Sequence, residues 1–225
     1  MLKTFVDKIS DNKNSRSLAH SYRSKRFELF KTMLANIPRP IKILDLGGTE
    51  EFWTAMGFND SGVTITLLNL EVNTAVQPPF YSIKGDATHL DEIADQSYDV
   101  VFSNSVIEHV YTWENQQKMA SEIKRVGKSH FIQTPNYWFP IEPHWVFPFF
   151  QFFPKWIRIL ITRYFSFGHI GKINNWTVAK NQVAEIRLLS KKEYARLFPQ
   201  SEIYKERFMG ITKSFIAIKE SKSIK

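Results

Sequence analysis

The first residues that could bind a ligand or do chemistry lie at the end of an apolar run near the start of the chain. Residues 41–46 are mostly apolar and include Asp45, and Gly47 and Gly48 follow directly. Glycines after a buried strand let the backbone approach a ligand closely, and open α/β sheets bind ligands at such points. An ordinary strand-to-helix turn uses the same residues, so both interpretations stay open here. A dinucleotide fingerprint, G-x-G-x-x-G, is poorly supported because the next glycine is Gly57.

Two more carboxylates follow the next two strand-like runs. Glu71 comes after residues 63–70, and Asp86 comes after residues 80–83. A carboxylate in the first place can accept hydrogen bonds from both ribose hydroxyls of a nucleoside, and one in the second from an adenine amino group. Each acid alone also fits a helix cap or a loop. Their order after three consecutive strands favours a ligand that contains a nucleoside.

These motifs, taken in order, resemble the class I S-adenosylmethionine-dependent methyltransferases, in the small-molecule, methyltransferase type 11-like group whose fourth strand ends in a Glu-His pair. The resemblance covers residues 40–136 and rests on four segments, namely ILDLGG (43–48), LNLE (68–71), GDA (85–87) and YDVVFSNSVIEHV (98–110). It implies an α/β, Rossmann-like, doubly wound fold. The sheet would have seven mostly parallel strands, with the last strand antiparallel.

The resemblance also implies a set of residues that bind S-adenosyl-L-methionine. Asp45, Gly47 and Gly48 would hold its methionine part, Glu71 the ribose, Asp86 and Ala87 the adenine, and Ser103 and Asn104 the floor beneath the sulfonium. The usual loop pattern is D-x-G-x-G. Here Thr49 stands at the second glycine position and Gly48 one place early, which leaves the loop geometry open.

The residues after the fourth strand bear on the acceptor. Related enzymes that methylate adenine or amide nitrogen carry a D/N-P-P-Y/F motif there, whereas residues 103–106 of this chain read SNSV. A similar segment at residues 134–137 follows the fifth strand instead. The sequence contains no recognisable RNA- or DNA-reading module, and a basic arm alone binds phosphate without specificity. We therefore expect a small-molecule acceptor, and nucleic acid is disfavoured.

Methyl transfer from a sulfonium needs in-line positioning and dry surroundings, and it needs a base only where the nucleophile must lose a proton. We favour His144 as that base, with Glu142 two residues earlier to hold its tautomer. His109 is the second candidate and is expected to orient the cofactor floor. No ligand-spaced cluster predicts a metal, although the Glu108-His109 pair leaves that point open.

Alternating strand-like and helix-like runs predict the scaffold that positions these groups. Helices are expected over residues 18–37 and 112–126 from their apolar spacing. Strands are expected at 41–46, 63–70, 80–83, 98–103 and 129–134. Strands separated by helical segments indicate right-handed crossovers and a parallel sheet. Residues 202–208 and 213–218, joined through Gly210, predict an antiparallel hairpin at the edge of the sheet.

An aromatic-rich insertion is expected after the fifth strand, over residues 137–185. Residues 137–170 contain 13 aromatic side chains and one acid, and only residues 155–164 within them read as a short helix. We interpret the insertion as a lid over the acceptor. A second small core, or peripheral contact with a membrane through residues 145–167, are the alternatives.

The composition and charge of the chain limit its possible chemistry, partners and location. The chain has 225 residues, a net charge of +8 and no cysteine, which excludes disulfides, thiolate metal sites and cysteine nucleophiles. Residues 1–42 carry ten basic and three acidic side chains, so we separate a basic helical arm, 1–40, from a methyltransferase domain, 41–225. The arm suggests an anionic partner or a solvated basic helix. No export signal is recognised, and the expected location is cytoplasmic, with a peripheral membrane site as the variant.

The prediction from the sequence is thus a methyltransferase that uses S-adenosyl-L-methionine and a small apolar or aromatic acceptor. Two alternatives stay open: an enzyme of the same class acting on a macromolecule, either nucleic acid or a lipid-linked glycan, and a catalytically silent fold that serves as an interaction module. The acceptor and the oligomeric state do not follow from the residues.

Overall fold

The computed structural model describes residues 18–73 and 76–221. Its first element is helix α1 (Leu18–Ala35), which ends shortly before Pro38, as expected because proline cannot continue a helix. Residues 1–17 of the predicted basic arm, 1–40, lie outside the described residues.

Seven strands follow the predicted order, and two short strands in the insertion were not predicted. The strands are β1 (Ile41–Leu46), β2 (Val63–Asn69), β3 (Phe80–Lys84), β4 (Tyr98–Asn104), β5 (Gly127–Pro135), β6 (Ile141–Glu142), β7 (Phe147–Pro148), β8 (Glu202–Phe208) and β9 (Ile211–Lys219). Seven of them form one sheet in the order β3-β2-β1-β4-β5-β9-β8, and the two that were not predicted, β6 and β7, pair with each other separately.

Strand direction in the large sheet confirms the expected fold class. Strands β1 to β5 are mutually parallel, and β9 runs antiparallel to both of its neighbours, β5 and β8. The sheet is therefore Rossmann-like, with six strands in one direction and the last strand against them. The predicted terminal hairpin is β8–β9, joined through Gly210.

The remaining helices lie between the strands and in the insertion. They are α2 (Glu50–Ala55), α3 (Trp113–Val126), α4 (Lys155–Tyr164), α5 (Trp176–Glu185) and α6 (Lys191–Leu197), with a 3-10 turn at Ile107–His109. Helix α3 buries one face, formed by Met119, Ala120, Ile123 and Val126, because these residues recur at helical spacing. Its first turn is capped by Thr112, whose side chain accepts from the Asn115 amide.

Helix α1 is part of the core. Its side chains Phe27, Phe30, Met33 and Leu34 are buried, and they pack in one cluster with residues of β1, β2, β4, β5 and α2. Burial of an aromatic or aliphatic side chain contributes roughly 1.5–3 kcal/mol. The aromatic members stack closely, since the Phe30 and Phe102 rings lie 4.8 Å apart. This packing fixes α1 against the sheet.

The aromatic insertion has a small core of its own. Trp145, Phe150 and Ile159 are buried there together with residues of α5 and the segment that follows it. Helix α4 has the predicted bounds, but α5 was not predicted. Five of its ten residues are apolar, but Trp176 and Val178 at its start are exposed, so its apolar residues do not mark a single helix face.

No helix of the described residues is long and apolar enough to span a lipid bilayer.

Candidate active site

The loop between β1 and α2 is built around a buried carboxyl group. Asp45 ends up buried near the carboxyl end of β1. Gly47 has a φ of +72°, and a β-carbon on Gly48 would lie 1.7 Å from Oδ2 of Asp45. Both positions therefore require glycine. Thr49 stands where the D-x-G-x-G pattern has its second glycine. It is the N-cap of α2, and its side chain accepts from the Phe52 amide at 3.4 Å.

One oxygen of Asp45 has no partner among the described residues. Oδ2 accepts a hydrogen bond of 2.7 Å from Nε1 of Trp53, whereas Oδ1 is buried and receives none. Burial raises the pKa of this carboxyl group to about 8, and the Trp53 hydrogen bond offsets only part of that effect. A buried acceptor without a donor is costly. The site thus suits a ligand that brings a donor, above all a cationic one.

A cavity of about 660 Å³ opens beside this loop. Its wall combines residues of the loop with His20 and Arg23 of α1 and with Phe102 and Asn104 at the end of β4. Since β1 pairs with β4 on one side and β2 on the other, the cavity lies at the point where the strand order reverses. Open α/β sheets bind ligands at this topological switch point.

A buried ion pair joins helix α1 to β8 beside this cavity. Arg26 donates to Glu206 of β8 through Nε, at 3.0 Å, and Nη2, at 2.6 Å, and it also donates to Oδ1 of Asn104. Burial and the charge of Arg26 lower the pKa of Arg23. Sequence reasoning missed Arg23 and Arg26, although their spacing of three residues places them on one helix face.

The other residues predicted for the cofactor lie outside this cavity wall. Glu71 is exposed and pairs with Lys84 at 3.8 Å, and Ala87 packs against the core. Oδ1 of Asp86 accepts from the amide and hydroxyl of Thr88, each at 2.8 Å. Ser103 is buried and donates to the Leu46 carbonyl. The cavity thus brings together Asp45, Gly47, Gly48 and Asn104, and the cofactor-binding roles of all eight residues stay predictions.

The three residues predicted for proton transfer meet in one cluster. Nδ1 of His144 lies 2.7 Å from Oε1 of Glu142, and Nε2 of His144 lies 3.1 Å from Nε2 of His109. Nδ1 of His109 lies 3.2 Å from Oε1 of Glu185. Glu142 is further held by the amides of residues 144 and 145. The resulting chain runs Glu142–His144–His109–Glu185, and its last member was not predicted.

A third acid, Glu108, completes the surroundings of this cluster. It is fully buried, and its Oε2 accepts from the Thr134 hydroxyl at 3.0 Å. Burial lowers the pKa of His144, but the hydrogen bond and charge of Glu142, with the charges of Glu108 and Glu185, raise it more, so the net shift is upward. Ligand atoms of Glu108, His109 and His144 lie within 4.8 Å of one another. The sequence spacing predicted no metal-ligand cluster and left a metal open only through the Glu108-His109 pair, because His144 is distant in the chain.

A second cavity, of about 410 Å³, lies under the insertion. Tyr137, Trp138, Trp145 and Phe150 supply aromatic walls, and Glu142, Gln151 and Arg158 are among the polar residues that line it. Nε of Arg158 and Oε1 of Gln151 are buried without a hydrogen-bond partner in the described ranges. This cavity offers a ligand aromatic surface, an unpartnered guanidinium nitrogen of Arg158 and an unpartnered amide oxygen of Gln151.

Comparison with known sequences gives a family match over part of the chain. Residues 45–130 match the model of the methyltransferase domain family. Two uncharacterized proteins of Mycobacterium tuberculosis, from strains CDC 1551/Oshkosh and H37Rv, are each 33% identical over 81 residues, which is 36% of this chain and 27% of theirs. The chain therefore matches about a quarter of the length of these relatives.

Solved structures share the fold at low sequence identity. A CurJ carbon methyltransferase is 10% identical with a TM-score of 0.60, covering 99% of this chain and 59% of that chain. The N-terminal domain of EvdMO1, solved in the presence of SAH and D-fucose, is 14% identical with a TM-score of 0.53, covering 89% and 83%. A SAM-dependent methyltransferase from Aquifex aeolicus is 12% identical with a TM-score of 0.51, covering 96% of both chains.

The family match and the fold agree with each other. Residues 45–130 match the methyltransferase domain family, and a solved carbon methyltransferase and a solved S-adenosylmethionine-dependent methyltransferase share the fold of this chain.

Proposed function

We propose that this protein transfers a methyl group from S-adenosyl-L-methionine to a small acceptor. The observation that carries the proposal is the cavity at the switch point, where the buried Asp45 keeps one oxygen without a donor and Gly47 and Gly48 expose their backbone. When bound, the cofactor supplies a methyl carbon already activated by the sulfonium. The protein then has to bind, orient and exclude water.

The residues of this cavity fit the amino-acid part of the cofactor. The methionine ammonium is the kind of donor that Oδ1 of Asp45 lacks, and Arg23 in the same wall offers a guanidinium to the carboxylate. Glu71 is assigned to the ribose, and Asp86 and Ala87 to the adenine. These residues follow β2 and β3, whose carboxyl ends lie on the same sheet edge as that of β1. Ser103 and Asn104 end β4 and form the floor beneath the sulfonium.

The second cavity is our candidate for the acceptor site, with the insertion as its lid. Its aromatic walls favour a planar or apolar molecule. The unpartnered Nε of Arg158 favours an acceptor with an anionic group, because a buried guanidinium nitrogen without an acceptor is costly. Glu142, in the wall of this cavity, holds His144. We assign the removal of a proton from the acceptor to the His144–His109 pair.

Methyl labelling tests this proposal. The protein is incubated with methyl-labelled S-adenosyl-L-methionine and a cell extract, and the labelled product is separated by size and identified. We expect label in a small anionic or aromatic compound, and less of it with the Arg158→Gln variant. Label confined to nucleic acid or to lipid-linked glycan would contradict the proposal. The absence of any labelled product across several extracts would favour a silent binding module.

Peripheral contact with an anionic membrane is a second candidate, favoured by exposed aromatic rings in the insertion. Trp138, Phe149 and Phe152 lie in one ring cluster, and Trp156 is 60% exposed beside Lys155. Aromatic and basic side chains together suit a lipid interface. Flotation with anionic vesicles at low salt tests it. Recovery with the vesicles that is lost in a Trp138→Ala/Trp156→Ala variant supports the contact, and a protein left at the bottom of the gradient rejects it.

A further inference from the structure

The two facing histidines require a positive charge between them. Nδ1 of His144 lies beside Glu142 at 2.7 Å and Nδ1 of His109 beside Glu185 at 3.2 Å. A carboxylate accepts hydrogen bonds, so both Nδ1 atoms carry the ring proton, and each neutral ring keeps its lone pair on Nε2. The two Nε2 atoms are 3.1 Å apart. Two lone pairs at this distance repel each other unless a proton or a metal ion lies between them.

Glu108 favours the metal ion over the proton. A carboxylate oxygen of Glu108 and one ring nitrogen of each histidine all lie within 4.8 Å of one another. Oε2 accepts from Thr134, but Oε1 is buried and finds no donor within the described part of the chain. A proton shared by the two imidazoles leaves this oxygen unpaired. A metal ion takes all three groups as ligands.

The surroundings have the form that metal sites need. Glu142 and Glu185 stand behind the two rings as the carboxylates that orient metal-bound histidines in known sites. Two imidazole nitrogens bound to one tetrahedral zinc ion lie about 3.3 Å apart, given Zn–N bonds of about 2.0–2.1 Å, and the Nε2 atoms here already lie 3.1 Å apart. Three carboxylates surround the two rings, which favours a divalent cation.

We infer that Glu108, His109 and His144 bind one divalent transition-metal ion, with Glu142 and Glu185 as positioning residues behind the histidines. The donor set of two imidazoles and one carboxylate suits Zn²⁺, Co²⁺ or Mn²⁺, and it leaves a coordination position open.

The role of this ion rests on the proposed function, although its binding does not. An acceptor oxygen at the open position would have its pKa lowered by the ion, as metal-bound water does. The His144–His109 pair would then promote loss of the acceptor proton as metal ligands, without taking that proton directly on Nε2.

Titration of metal-stripped protein tests the site. Untagged protein is treated with chelator, dialysed, and titrated with ZnCl₂ by calorimetry and with CoCl₂ by visible absorption. We expect one ion per chain, and Co²⁺ bands typical of fewer than six ligands. His109→Ala and His144→Ala should each abolish this binding. Glu142→Gln should weaken it by about 10- to 100-fold, the usual effect of removing a partner behind a ligand.

His89→Ala is the matched control, because His89 also lies beside a carboxylate, Asp91 at 3.2 Å, but on the surface. Circular dichroism shows whether each variant is folded. The inference is overturned if the wild-type protein binds neither ion at one equivalent, or if both histidine variants are folded and bind as the wild type does. S-adenosylhomocysteine is titrated in parallel. Loss of metal binding with intact S-adenosylhomocysteine binding contradicts the metal site alone. Metal binding without S-adenosylhomocysteine binding contradicts the proposed function alone.

Discussion

The β1–α2 loop and the histidine cluster are two polar centres at the same sheet edge, and they are assembled in opposite ways. The loop is local: Asp45, Gly48 and Trp53 lie within nine residues and meet through one turn. The cluster is assembled from distant segments: His109 and His144 are 35 residues apart, and His109 and Glu185 are 76 apart. The loop has one unpaired buried oxygen on Asp45, and the cluster has one on Glu108.

This difference indicates how each centre responds to change. The loop depends on backbone geometry, since its glycines admit no side chain, and small substitutions there should remove ligand binding. The cluster depends on side-chain hydrogen bonds from three elements, so its geometry follows the packing of the insertion. The following substitutions act on one centre at a time and are ordered by expected effect.

Gly48→Ala should have the largest effect. Its new methyl group would lie 1.7 Å from Oδ2 of Asp45, so the loop must shift, at a cost of roughly 1–3 kcal/mol or more, and cofactor binding should be lost. Gly171→Ala, in the insertion, meets nothing within 4 Å and serves as the control. Thermal unfolding and calorimetric titration measure both. Equal behaviour of the two variants would refute the tight loop.

His144→Ala should act on the second centre alone. We expect kcat to fall by roughly 10²- to 10⁴-fold, the range of a group that assists proton transfer, with cofactor affinity unchanged. Steady-state kinetics with an identified acceptor measure the first quantity and calorimetry the second. A variant that turns over at the wild-type rate, or that loses the cofactor, would assign His144 a structural role.

Asp45 should make the free protein less stable as the pH rises. The folded pKa is raised from 3.8 to about 8, so over this window the unfolded chain releases a proton that the folded chain keeps. The free energy of unfolding therefore falls with rising pH, by at most about 1.4 kcal/mol per pH unit.

Asp45→Asn cannot ionise and should flatten this dependence, measured by denaturant unfolding at pH 5 and pH 8 without cofactor. Asp91→Asn on the surface is the control. The same pH dependence in Asp45→Asn as in the wild type would show that Asp45 is already charged in the folded protein.

Thr49→Ala should have the smallest effect. It removes the N-cap of α2, whose hydrogen bond is long at 3.4 Å, so we expect a loss of about 0.5–1 kcal/mol in unfolding free energy. Denaturant unfolding measures it. A loss of cofactor binding at unchanged stability would instead give Thr49 a direct contact with the ligand.

The sequence predicted the centre that is local and missed the contacts that are distant. Asp45, Gly47 and Gly48 lie within four residues at the end of one strand, so periodicity and glycine spacing place them together without knowledge of the fold. His144 and Glu142 were paired because they are two residues apart, but the facing of His144 and His109 requires the insertion to fold back over β4. The bonds from Arg26 to Glu206, 180 residues away, also depend on the completed sheet.

The strands and helices show the same difference between local patterns, which the sequence predicts, and distant packing, which it does not. Strand bounds agree within a residue or two because buried strands read as continuous apolar runs. Helix α5 was not predicted because only some of its apolar residues face the small core of the insertion, whereas Trp176 and Val178 are exposed.

Calorimetric titration with S-adenosylhomocysteine tests the central claim most directly. We expect one site per chain with micromolar affinity, weakened by about 1.5–3 kcal/mol in Glu71→Ala, as for a hydrogen bond to a charged group, and unchanged in Glu92→Ala, an exposed acid elsewhere on the surface. The absence of both binding heat and thermal stabilisation in the wild-type protein, with either S-adenosylhomocysteine or S-adenosyl-L-methionine, would contradict the account.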